Sequence, residues 1–506
     1  MNLIYLNSVT DTIAEINGYV NNFVWGLPML ILLVGTGILM TITTKVFQIT
    51  HIGHWMKKTI GGIFTEKHIT KHTGKEDKSI SQFQSLCTAL AATIGTGNIA
   101  GVAAAIALGG PGSIFWMWIV AFFGMMTNYS ENVLGIYYRR KNSHNEWSGG
   151  AMYYLRDGLG AKKGCKKLGA VLAVLFSVFC VLASFGIGNM SQINSIATNM
   201  QSAFHIKAWI TGLVLMCIAA LVIVGGIKRI ASVAEKLVPF MALIYILGTI
   251  IIFCSHLDHI GAVFGSIFKG AFALKATGGG IVGYGVKMAI SWGMKRGVFS
   301  NEAGLGSSVM VHSSSNVREP VRQGMWGIFE VFADTIVVCT LTAFAVLSSG
   351  VVDLETGKMI SENEKTALVA EAFSGVFGKA GAAFIAIAIL LFAFSTVLGW
   401  SHYGTKAWEY LFGTESTVIY KIVFVVVIFF GSTMSLDLAW DLSDTFNGMM
   451  AIPNLIGVIT LSPIVIKITS NYVKRHFHNA DIEPMLSAFP DIQEQQAKEL
   501  KGGAEE

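Results

Sequence analysis

The chain has 506 residues, of which 53% are hydrophobic and only 13% charged, with a mean hydropathy of +0.58 and a net charge of +5. Soluble domains carry about 25% charged residues, so this composition excludes a set of ordinary soluble domains and gives no sign of a nucleic-acid partner. Six scattered cysteines and two histidine pairs, His51/His54 and His68/His72, match neither a disulfide framework nor a metal-ligand pattern.

The first 21 residues carry Asp11 and Glu15 without Lys or Arg, so a cleavable signal peptide is not expected there. Apolar runs then fall at about 22–44, 82–108, 113–137, 168–198, 208–226, 237–254, 281–309, 325–348, 379–400, 418–435 and 445–468. Crossing a bilayer takes roughly 20 apolar residues of helix. Continuous runs without ten-residue alternation predict helices rather than a barrel. The expected fold class is an all-α polytopic membrane protein with about 11 transmembrane helices. Of the 36 lysines and arginines, 26 lie on the side that begins with loop 45–80 and ends with the tail, and 6 on the other. The positive-inside rule then places the N-terminus outside and the C-terminus in the cytoplasm of a cell membrane. An odd number of spans requires the same opposite placement. The 469–506 tail is polar and is expected to fray beyond about residue 480.

Residues 81–110 hold no charge, yet Thr93, Gly95, Thr96, Gly97 and Asn98 place a polar, flexible knot at the middle of the segment. Backbone exposed at that depth is tolerated only where it lines a protein cavity. Setting the first span aside leaves ten, five and five, and an odd number per half inverts one half relative to the other. The domains expected are 1–80 (outer segment, peripheral helix and linker), 81–255 and 256–468 (two inverted repeats), and the 469–506 tail. The second repeat opens its membrane part with 278–310, again glycine-interrupted, with its break placed between Gly283 and Gly297. Interrupted segments at corresponding positions of two halves point to a midplane transport site.

Where a helix unwinds, its downstream half offers free N–H groups and a positive dipole end to an anion. Its upstream half offers carbonyls to a hard cation. Gly95–Asn98 is therefore expected to grip a substrate carboxylate through backbone amides, with carbonyls near Ala91 to Ile94 on the ion.

GGPGSIFWMWIVAFFG (109–124) closely resembles the signature of the alanine/glycine:cation symporters, also called sodium:alanine symporters, and TIGTGNIAGVA (93–103), GGAMYYL (149–155) and GVFSNEAGLGSS (297–308) resemble other hallmarks of that family. The resemblance runs from about 80 to 465. It implies Na⁺- or H⁺-driven uptake of a small neutral amino acid, alanine or glycine, on a five-plus-five inverted repeat of the leucine-transporter type with one extra N-terminal helix. It implies no resident cofactor and no enzymatic activity. By the same resemblance Asn98 is similar to a cation ligand, the carbonyls of Ala91 and Ile94 line a second cation site, and Ser395 and Thr396 complete it. Thr93 and Thr96 stand where relatives of the fold have apolar residues, and add hydroxyls for ion or substrate. Ser291, Trp292 and Gly293 are the expected pocket lining on the second broken helix, and Gln192 a candidate for the substrate's polar end.

Asp334 lies nine residues into the 325–348 run, about 14 Å deep at the helical rise. It is read either as a cation or proton site or as the partner of Lys287, Lys295 or Arg296. Glu330, a turn earlier, is expected near the cytoplasm and hydrated, and Glu131 and Asn128 are read mainly as interior packing or loop anchors. Ile281–Gly285 (IVGYG) resembles a potassium-channel filter, but a filter needs four copies around one axis. No nucleophile–base set appears for a membrane enzyme. A carrier of the same fold for another solute is the nearer alternative.

Overall fold

The computed structural model describes residues 2–74, 77–272, 281–363, 365–434 and 437–501. The apolar runs expected above fall mainly on helices, three of the runs being interrupted, at 25–26, 94–99 and 302–308. Among the described residues, seven helices are long and apolar enough to cross a bilayer, and a bent pair makes an eighth.

That bent pair is the first knot. Ser81 starts the Gln82–Thr93 helix with a capping box, its hydroxyl accepting from the Gln84 N–H while the Gln84 side chain accepts from the Ser81 N–H, both at 3.2 Å. The helix stops at Ile94, whose backbone is extended. A single 3₁₀ turn, Thr96–Asn98, follows, and helix resumes at Ala100–Gly109 with the axis turned by 59°.

The second break lies elsewhere than expected. Ile281–Asn301 is one unbroken helix, and the chain leaves helical geometry only at residues 302–308 before a one-turn helix, Val309–His312. Three residues in this turn have positive φ: Glu302 at 55°, Gly304 at 94° and Gly306 at 72°. The two glycines supply the left-handed backbone at little cost. Gly293 and Gly297 have a different use. A Cβ at Gly293 would sit 2.8 Å from Trp116 Cβ, and one at Gly297 would press on Val120, so these positions let the Ser113–Tyr137 helix pack closely. The IVGYG run begins this same helix, so its carbonyls take part in helical hydrogen bonding and do not form a filter.

Ser113–Tyr137 is the central helix, packed chiefly against Ile281–Asn301 and Pro320–Val331. Two membrane helices change pitch locally: π-helical turns occur at Gly186–Met190 within Lys166–Phe204 and at Phe332–Cys339 within Pro320–Ser348. Such turns often mark functional sites.

The parts outside the apolar core are more ordered than composition implied. Short helices fill the linker between Phe47 and Thr70, where Glu66 binds Lys58 and Arg322, each at 2.7 Å. Burial pushes the Glu66 carboxyl up, but these hydrogen bonds outweigh it and hold it at about 2. The tail does not fray at 480. Leu486 is buried, the Gln493 side chain accepts from the Leu486 and Ser487 N–H groups at 2.8 and 2.9 Å, and helix Pro490–Lys501 docks through Arg318–Glu499 at 2.9 Å. The apolar stretch MLSAF (485–489) is what holds it, a cue masked by the polar average of the tail.

The two roles of glycine on one helix give a test. Gly293→Ala must displace Trp116 or the Ser113 carbonyl and costs about 1–3 kcal/mol, the usual penalty of overpacking. A Cβ placed on Gly285 meets nothing within 4 Å, so Gly285→Ala is tolerated and stabilises by up to about 1 kcal/mol through helix propensity. Thermal melting of the two variants in detergent checks this; equal melting temperatures would refute the packing account.

Candidate functional site

The interrupted stretch 94–99 leaves backbone groups that must be satisfied at depth, and the stretch itself and two other elements supply partners. Asn98 folds back so that its Oδ1 accepts from the Gly95 N–H at 2.9 Å. The Thr96 N–H donates to Gln192 Oε1 at 3.4 Å. Gln192 is aimed by its own Nε2, which donates to the Ile187 carbonyl at 3.0 Å inside the π-helical turn. From the Lys379–Phe412 helix, Ser395 Oγ lies 3.2 Å from the Ala91 carbonyl and Thr396 Oγ1 lies 3.5 Å from the Ile94 carbonyl. Both hydroxyls also reach the Phe392 carbonyl, at 2.7 and 3.0 Å. Gly95 is fixed as glycine by this arrangement, because a Cβ there would run into Thr396 Oγ1 and come within 3.5 Å of Gln192 Oε1.

A second polar group sits beside it. Asn98 Nδ2 donates to Asp334 Oδ1 at 2.6 Å and reaches Cys339 Sγ at 3.3 Å, while Thr335 Oγ1 donates to Asp334 Oδ2 at 2.8 Å. Asp334 is presented by the π-helical turn and is fully buried. Its partners are thus neutral donors. Of the three basic residues weighed as partners, Lys295 pairs with Asp444 at 3.2 Å, Lys287 is exposed, and Arg296 stacks over Trp292 and Phe299. The six expected cation ligands therefore fall into two groups: Ala91, Ile94, Ser395 and Thr396 in one, Asn98 and Asp334 in the other. Among the described residues no cluster of three or more His, Cys, Asp or Glu side chains has metal-ligand geometry. Carbonyls and hydroxyls are hard oxygen donors, which suit an alkali or alkaline-earth cation.

A cavity of about 630 Å³ opens onto the knot, bordered by Thr96, Gly97, Gly101, Asn194, Arg296 and Phe299 among others. Thr93 turns away from it and donates to the Ala89 carbonyl of its own helix at 3.3 Å. Ser291, Trp292 and Gly293 do not border this cavity either. Gly293 packs on Ser113 and Trp116, and Trp292 Cβ approaches Gly109. Because the break comes at 302–308, the residues of this helix that reach the cavity are Arg296 and Phe299, with Phe299 Cδ1 3.5 Å from a Cβ placed on Gly97.

Around the second break lies a buried network that sequence reasoning missed or misplaced. Trp400 Nε1 donates to Glu302 Oε1 at 3.0 Å, and Asn454 Nδ2 donates to the Gly304 carbonyl at 2.9 Å and to Glu131. Glu330 is fully buried, not hydrated, and is held by His312 Nε2 at 2.9 Å and Asn128 Nδ2 at 3.3 Å. The carboxylates of the SNEAGLGSS hallmark and of the central helix were the available cue, since buried acids must find donors.

A family model described as the sodium:alanine symporter family matches residues 10–486. The chain is 45% identical over 463 residues to the sodium/alanine symporter AgcS of Methanococcus maripaludis, covering 91% of this chain and 97% of that protein. It is 39% identical to an uncharacterized transporter of Haemophilus influenzae (92% and 97% covered) and 35% identical to a putative sodium/proton-dependent alanine carrier protein, YrbD, of Bacillus subtilis (94% of each). Among solved structures, a Na⁺-coupled sialic acid symporter aligns over 94% of this chain and 96% of its own at 11% identity, with a TM-score of 0.49. The family match across nearly the whole chain and the level of identity agree: this multi-pass membrane protein belongs to the sodium:alanine symporter family.

Proposed function

We propose that the protein carries a small neutral amino acid, alanine or glycine, into the cell together with Na⁺, by alternating access around its two interrupted helices. The observation that carries this reading is the placement of Ser395 and Thr396 against the carbonyls of Ala91 and Ile94, at 3.2 and 3.5 Å, where the first helix stops. Two hydroxyls and two carbonyls from two elements meet there in adjacent pairs without a carboxylate, a donor set that favours a monovalent hard cation over a transition metal. A cation at this point ties the interrupted helix to Lys379–Phe412 and steadies the unwound stretch. The N–H groups near Gly97, at the start of the downstream half, then receive the substrate carboxylate, and Gln192 fixes the neighbouring turn. Glycines and threonines bring backbone close to the solute, which keeps the pocket small.

The same reading includes an 11-helix, five-plus-five inverted architecture with repeats at 81–255 and 256–468. It places the protein in the cell membrane with the N-terminus outside and the tail in the cytoplasm. The excess of Lys and Arg on one side, and the two breaks lying one in each half, support it. Proton coupling is the second reading, favoured by one observation: Asp334 is fully buried with neutral donors alone.

Radiolabelled alanine uptake into proteoliposomes under imposed gradients tests the function. An inward Na⁺ gradient is expected to drive accumulation above equilibrium; accumulation driven by a pH gradient alone would favour the proton reading, and mere equilibration would refute both. The ion site has its own test. Ser395→Ala/Thr396→Ala together are expected to raise the Na⁺ concentration for half-maximal uptake by about tenfold or more, the change a loss of roughly 1.4 kcal/mol produces. Gly95→Ala, which pushes the Thr396 hydroxyl aside, shifts it in the same direction. Wild-type Na⁺ dependence in both variants would remove this site from the account.

A further inference from the structure

We propose that Arg296 is an outer docking residue for the substrate carboxylate, taking it before the backbone near Gly97 does. The inference rests on the transport reading above and adds a recognition residue to it.

Arg296 borders the same cavity as Thr96 and Gly97, and its Cδ lies 3.9 Å from a Cβ placed on Gly101, one turn beyond the interrupted stretch. An ionisable group at membrane depth is costly and calls for a partner. This one lies over the Trp292 and Phe299 rings, its Cζ 5.3 and 5.6 Å from their centroids. Two aromatic faces offset part of the cost of removing a guanidinium from water. They leave its hydrogen-bonding capacity unused. Among the described residues no hydrogen bond or ion pair is made by the Arg296 side chain, and its buried Nε has no partner. The carboxylate whose charge acts on it, Asp444, is already engaged by Lys295 and by the Asn21 side chain, each at 3.2 Å. A guanidinium is always charged and presents a planar fork that fits a carboxylate with two parallel hydrogen bonds. An unpaired fork beside a cavity bordered by Thr96 and Gly97, and also by Lys365 and Asp441, calls for an anion, and the anionic end of an amino acid is a carboxylate.

The handover follows from the geometry. The guanidinium concentrates the carboxylate in the cavity, and the Gly97 region takes it as the solute moves inward. Arg296 thus sets the preference for solutes that keep a free carboxylate over those that do not.

The test uses the full-length protein in proteoliposomes, with alanine uptake competed by alaninamide, which retains the amine and methyl but has no carboxylate. In Arg296→Gln the KM for alanine is expected to rise about tenfold, the effect of one lost charge-assisted hydrogen bond, and the preference for alanine over alaninamide to fall. The Na⁺ concentration for half-maximal uptake at saturating alanine stays as in the wild type. Arg296→Lys, which keeps charge without the fork and covers the case in which the neutral variant does not insert, gives an intermediate KM. Wild-type KM and wild-type discrimination in either inserted variant would overturn the role of Arg296 while leaving the symport reading intact. A wild-type protein with no gradient-driven alanine uptake would overturn the transport reading, and this inference with it.

Discussion

Backbone opened inside a membrane must find its hydrogen-bond partners in protein, because lipid has none to offer. Each orphaned amide or carbonyl left in an apolar medium costs roughly 2–7 kcal/mol, so a chain cannot unwind a helix at depth without recruiting other elements around the gap. Here the recruits at the first gap are Asn98 from the gap itself, Gln192 from the helix that follows a π-helical turn, and Ser395 and Thr396 from the Lys379–Phe412 helix. At the second gap they are Asn454 and Trp400, reaching the Gly304 carbonyl and Glu302. The site is the place where these obligations converge, and its chemistry follows from them.

The two gaps solve the problem differently. The first stays sparse, with the Ser395 and Thr396 hydroxyls each within reach of more than one carbonyl. The second is heavily cross-linked: Glu131, Asn454 and Tyr154 interlock with the turn, and His312, Glu330 and Asn128 close the other side. The cross-links are many, although Glu131 Oε2 and Glu330 Oε1 have no hydrogen-bond partner among the described residues. Under the proposed function the first gap is the one that binds, and the second ties its helix ends to their neighbours.

Much of this was legible in the residues. Thr93–Asn98 announced a break because polar residues and glycines stood where a membrane helix is most apolar, and the hydroxyl pair Ser395–Thr396 followed from the family pattern; the structure brings that pair to the carbonyls of Ala91 and Ile94. The second break was not legible, because glycine serves two purposes with the same composition. Gly293 and Gly297 admit a neighbouring helix, whereas Gly304 and Gly306 adopt positive φ, and one sequence does not say which is which. That displacement carried Ser291, Trp292 and Gly293 away from the cavity and put Arg296 and Phe299 on it. The tail was misjudged for a simpler reason: the apolar stretch at 485–489 anchors it, and an average over the tail hides that stretch.

If ion and solute are bound together across the first interrupted helix, each must strengthen the other's binding by the same factor. Binding of radiolabelled Na⁺ to the purified protein in detergent, measured with and without saturating alanine, tests this most directly. The account predicts saturable Na⁺ binding that tightens when alanine is present, and an equal tightening of alanine by Na⁺. Na⁺ binding that is absent, or indifferent to alanine, would contradict it.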